Sequence, residues 1–113
     1  MKYIIILLCF IFPFISYAEV DQSIPYLIAT AAIAHGVDPQ LALYISWKES
    51  QWNPQILGDH GKSRGLWQIS KIYHPEVSDS IAFNPLQSTL WALQTILKDK
   101  SCRQWSTCPS QVD

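Results

Sequence analysis

The sequence predicts a single small domain of the all-α class. Three stretches carry apolar residues at helical spacing, and helix-starting and helix-stopping residues bracket each of them. No stretch alternates at period two for long enough to make a strand. A chain of 113 residues is expected to hold one domain.

The first helix is expected from Ile24 to His35. Pro25 sits in its first turn, and Gly36 can take the left-handed backbone that stops a helix. Tyr26 to Ala34 is apolar nearly all round, as in a core helix. Asp38 caps the second helix and Pro39 opens it. It should end at Ser50 or Gln51, because the residue before Pro54 avoids helical backbone. Asn53 to Gly65 reads as loop, broken by Gly58, Gly61 and Gly65. A short ordered piece, Leu66 to Lys71, follows, and Pro75 is expected to open a single turn. Asn84 and Pro85 then start a last helix running to about Lys100. Leu86, Leu90, Leu93, Ile96 and Leu97 fall at helical spacing along it. Ser101 onward is expected to be an irregular tail.

The two ends bear on location. Residues 1–18 read as an export signal: Lys2, then an apolar run to Ile15, then small residues at Ser16 and Ala18. The run is shorter than the roughly 20 apolar residues that span a bilayer, and Pro13 interrupts it. The folded domain is therefore expected over residues 19–113, in the periplasm or outside the cell. Of the three cysteines, Cys9 leaves with the signal. Cys102 and Cys108 remain, and in an exported chain they are expected to form a disulfide that closes the tail.

Several function classes are disfavoured. The formal charge is −1, and loss of Lys2 makes it more acidic, which suits neither nonspecific nucleic-acid binding nor attachment to an anionic surface by bulk charge. His35, His60 and His74 are not spaced as a metal cluster, and no cofactor motif is present, so neither metal nor cofactor is expected.

One carboxylate stands out. At 100° per residue from Leu41, Ile45 falls at about 40°, Glu49 at about 80° and Ala42 at about 100°. Glu49 thus lies within the apolar face, close to the helix C-terminus. Apolar surroundings and the negative end of the helix both favour the protonated form. A glutamic acid that stays protonated near neutral pH is what a general acid requires. The alternative is an ion pair with Lys48 or Arg64 at the rim of the core.

The residues around Glu49 form a longer pattern. Glu49-Ser50-Gln51-Trp52-Asn53-Pro54, then Gly58, then Gly65-Leu66-Trp67-Gln68-Ile69-Ser70 resembles the soluble lytic transglycosylase family. The resemblance covers about Ile24 to Lys100. It implies a small lysozyme-like helical domain that cleaves the MurNAc–GlcNAc bond of peptidoglycan. It implies Glu49 as general acid and then base, with Ser50 orienting the carboxyl or touching substrate. Gly65, Leu66, Gln68 and Ile69 would line the sugar groove, with Gln68 bonding an acetamido group. Ordinary packing is the alternative for Leu66, Trp67 and Ile69. Beyond the last helix, where the family carries a Tyr-Asn motif, this chain has Cys102-Arg103-Gln104-Trp105-Ser106-Thr107-Cys108. Tyr73 and Tyr44 are the candidate substitutes for that tyrosine.

Asp59 is the nearest further acid in sequence. If it reaches the groove, the protein is a hydrolytic lysozyme; if it is a turn residue, a single glutamate implies lytic transglycosylation with 1,6-anhydro-MurNAc ends. A non-catalytic glycan-binding module is the third possibility, since the tryptophans could stack on sugars in either case. The expected partner is the peptidoglycan glycan strand, with a secretion or conjugation machine as a further candidate, and the chain is expected to be monomeric.

Overall fold

The computed structural model describes residues 22–109. The export signal expected over residues 1–18 lies outside the described residues, as does the end of the chain. Among the described residues no helix is long and apolar enough to cross a membrane.

Helix α1 spans Ser23–Ala34. Its end is set by Gly36, at φ +75°. The Val37 amide returns to the Ala32 carbonyl at 2.9 Å and the Gly36 amide to Ile33 at 3.2 Å. This paired closure satisfies carbonyls that would otherwise be orphaned. Helix α2 spans Pro39–Ser50, and the Asp38 carboxylate accepts from the Gln40 amide at 2.9 Å. It ends where Gln51 and Trp52 both turn left-handed, at φ +52° and +63°.

The loop that follows contains a small sheet that the sequence reading did not anticipate. Strands β1 (Leu57–Gly58), β2 (Ser63–Arg64) and β3 (Ile69–Ser70) pair antiparallel in the order β1-β2-β3. Leu57 faces Arg64, and Arg64 faces Ile69. Each strand has two residues, too short for an alternating pattern to be visible in sequence. The fold remains predominantly helical.

Helix α3, Asp79–Ala82, is the expected single turn, shifted from Pro75 to Ser78. The Ser78 hydroxyl accepts from the Ile81 amide at 3.3 Å, a cap that Pro75 cannot supply. Helix α4 spans Pro85–Asp99, capped by Asn84, which accepts from the Gln87 amide at 2.8 Å.

Helix α1 packs against both α2 and α4. Ile28, Ala32, Ala42, Ile45, Trp67 and Leu93 are fully buried between them. Trp67 is the largest side chain in this core, and its indole N–H donates to the Thr89 hydroxyl at 3.0 Å. A buried indole without such a partner would cost about 1–3 kcal/mol. The tail folds back onto this core. Cys102 and Cys108 are disulfide-bonded, with Cα atoms 5.4 Å apart. Between them Trp105 is buried edge-to-face against Trp67, centroids 5.6 Å apart, and its indole donates to the Trp67 carbonyl at 2.8 Å.

Candidate active site

Helix α2 delivers Glu49 one residue before its end, where it shares a groove with residues of the small sheet. It lines an open groove of about 460 Å³. Asp59, Ser63, Gln68, Ser70 and Tyr73 form the sheet side of that groove; Gln104, Trp105 and Ser106 form the tail side.

Glu49 is half-buried, and burial pushes its carboxyl above the ordinary value of 4.5. Desolvation penalises the charged form. A hydrogen bond from the Thr107 hydroxyl to Oε2, at 2.7 Å, partly opposes this by stabilising the carboxylate. No ion pair touches Glu49 among the described residues. Arg64, an expected partner, is committed elsewhere. It is buried, donating to the carbonyls of Ile69 (3.1 Å), Val77 (2.7 Å) and His74 (3.4 Å) and pairing with Asp79 at 3.0 Å. It fastens the sheet to α3, and the carbonyls it serves would otherwise be left with fewer partners.

The other residues singled out in the sequence divide into two groups. Glu49, Asp59 and Gln68 meet at the groove. Ser50 does not: it is 2% exposed, donates to the Ser46 carbonyl at 2.9 Å and accepts from the Trp52 amide at 3.1 Å. Its hydroxyl closes the left-handed turn after α2. Leu66 is fully buried and packs in the core, the alternative weighed for it. Ile69 is also buried, at the edge of a side pocket of about 110 Å³. That pocket shares Gln68, Ser70, Tyr73, Gln104 and Trp105 with the groove and is backed by Trp91. Gly65, at φ +75°, is needed for a turn and for close packing: a Cβ there would collide with the Ala82 carbonyl oxygen. Gln68 donates from Nε2 to the carbonyls of Gly65 (3.0 Å) and Ile56 (3.3 Å), while its side-chain oxygen lies where a Cβ on Gly58 would fall.

Asp59 is exposed at the turn between β1 and β2, at φ +52°. No hydrogen bond or ion pair holds its carboxylate among the described residues. Of the tyrosines, Tyr73 lines the groove; Tyr44 lies with Trp47 and Trp52 in a separate apolar surface hollow. Thr107, Gln104 and Ser106 were not legible as site residues. The hint in the sequence was only that the presumed disulfide encloses them.

Residues 27–107 match the family described as a lysozyme like domain, and the chain belongs to that family. The matched span opens inside α1 and closes at Thr107, so it takes in both sides of the groove. Neither the curated proteins nor the solved structures returned a match. Membership supports action on peptidoglycan of the glycosidase type, and the lysozyme-like domain with its disulfide fits an exported protein.

Proposed function

We propose that this protein is an exported lytic transglycosylase that cleaves the MurNAc–GlcNAc bond of peptidoglycan strands. The observation that carries the reading is a half-buried glutamic acid on the wall of an open groove, its pKa raised by burial. Glu49 protonates the glycosidic oxygen as the C1–O bond breaks, and the substrate's acetamido group assists from within the sugar. The resulting carboxylate then takes the proton of the MurNAc C6 hydroxyl as that oxygen closes on C1. The proton returns to Glu49, and the product carries a 1,6-anhydro ring. The side pocket suits the acetamido group, with Trp91 and Trp105 against its methyl and Gln68 beside its polar atoms.

A hydrolytic reading has one observation in its favour, that Asp59 shares the groove with Glu49. Water activation needs a base fixed in position, and no hydrogen bond or ion pair among the described residues fixes this carboxylate. In this reading the protein is a monomer in the periplasm or outside the cell, and, by analogy with the exported transglycosylases it resembles, it opens local gaps in the wall for a secretion or conjugation machine. Glu49→Gln tests catalysis against binding. The variant should no longer clear a peptidoglycan suspension yet should still sediment with insoluble wall. A wild-type protein that sediments with wall and never clears it would leave only the binding module.

A further inference from the structure

The contact between Glu49 and Thr107 joins residues 58 positions apart, so nothing local produces it. It exists because the tail is fastened at several points. The Cys102–Cys108 disulfide closes the ring covalently. Within it the Trp105 amide returns to the Cys102 carbonyl and the Cys108 amide to the Trp105 carbonyl, both at 3.0 Å. The Trp105 indole pins the ring to the Trp67 carbonyl at 2.8 Å. Thr107 is itself β-branched and has few side-chain rotamers to choose from. Its hydroxyl is therefore presented to Glu49 with little freedom left to lose.

The chemistry of the bond is asymmetric. While the Thr107 hydroxyl donates to Oε2, that oxygen is the acceptor and Oε1 is the oxygen left to carry the acid proton. No other side chain bonds to Glu49 among the described residues, so Oε1 is left open to the groove's contents. Once the proton has left, the same hydroxyl stabilises the carboxylate that must act as base. One bond thus serves both halves of a single-carboxyl mechanism.

We propose that Thr107 is the positioning residue for Glu49 and that the disulfide-closed tail is the part of the fold that supplies it. The inference rests on the reading of Glu49 as the acid. Lys48 beside it on α2, and Asp59 and Tyr73 across the groove, are the titratable neighbours, and none of them bonds to its carboxyl. Thr107 is thus its one hydrogen-bond partner among the described residues.

The test pairs Thr107→Val, which keeps shape and removes the donor, with Thr107→Ser, which keeps the donor. Unchanged far-UV circular dichroism is the control for folding. In Thr107→Val the Glu49 carboxyl, followed by ¹³C resonance in labelled protein, should titrate at higher pH than in wild type. The alkaline limb of wall clearing, where the acid is lost, should move up with it. The kcat should fall on the order of tenfold at nearly constant KM, the scale of one hydrogen bond to a charged group. Thr107→Ser should restore both titration and rate. A Thr107→Val protein with wild-type titration and kcat overturns the proposal, and so does a Thr107→Ser protein that fails like the valine variant. If wild type does not clear wall at all, the acid reading fails while the resonance still decides the present one: a rise in Thr107→Val supports it, and no change overturns it.

Discussion

The two sides of the groove are held by opposite means. The sheet side is a chain of short turns fastened by buried polar groups: Arg64 reaches the carbonyls of three residues and the Asp79 carboxylate, and Gln68 reaches two carbonyls. The tail side is held by the Cys102–Cys108 disulfide, by the Trp105 indole and by exposed side-chain bonds of Gln104 to His74 and Asp99. Buried polar fastenings make a wall whose failure exposes unsatisfied groups and unfolds the domain. A short disulfide ring adds less to global stability, because the loop it closes is small. The sheet side should therefore govern whether the domain folds, and the tail side how well the acid works.

The largest effect belongs to the residue between the two. Glu49→Gln should lower clearing on the order of 10³-fold. It should also raise the melting temperature at neutral pH. The folded carboxyl has a raised pKa, so the native state holds its proton longer than the unfolded chain does. Stability is then lost as pH rises from the ordinary value of 4.5 through the folded pKa. Glutamine escapes that loss, so the gain should vanish below pH 4. A variant that melts below wild type at pH 7 would contradict the burial argument.

Next is Arg64→Met, which removes the buried side-chain donors to the Ile69 and Val77 carbonyls. It should cost roughly 3 kcal/mol and lower the melting temperature by on the order of 15 °C. Replacing both Cys102 and Cys108 by serine should cost about 2 kcal/mol by loop entropy. The comparison predicts that this double variant, assayed well below its melting point, loses a larger share of its rate than Arg64→Met does. Equal residual rates would show that the two sides do not divide the work. Asp59→Asn should have the smallest effect, a change within about twofold in clearing rate, since nothing among the described residues holds its carboxylate.

The same division explains what could be read from sequence. Helix ends are local problems, and Gly36, Asp38 and Asn84 solve them within a few residues, so these helix boundaries were legible to within about one residue. The sheet was not, because two-residue strands have no periodicity and are fixed by Arg64 and by the turns between them. The apolar setting of Glu49 could be read from the helical wheel. Its partner could not, because Thr107 arrives from the far end of the chain through a fold that depends on the core. Ser50 and Leu66 belong to the recognised pattern around the site, yet the structure uses them to close a turn and to fill the core. A pattern in sequence does not separate a residue that touches a ligand from one that holds up its neighbour.

The chemistry of the cut ends tests a single-carboxyl mechanism most directly. Purified peptidoglycan would be digested with wild type, Glu49→Gln and Asp59→Asn, and the fragments weighed by mass spectrometry. The account expects wild type and Asp59→Asn to release 1,6-anhydro-MurNAc ends, one water lighter than reducing ends, and Glu49→Gln to release none. Reducing MurNAc ends from wild type, together with an inactive Asp59→Asn, would contradict it and make the protein a two-carboxylate hydrolase.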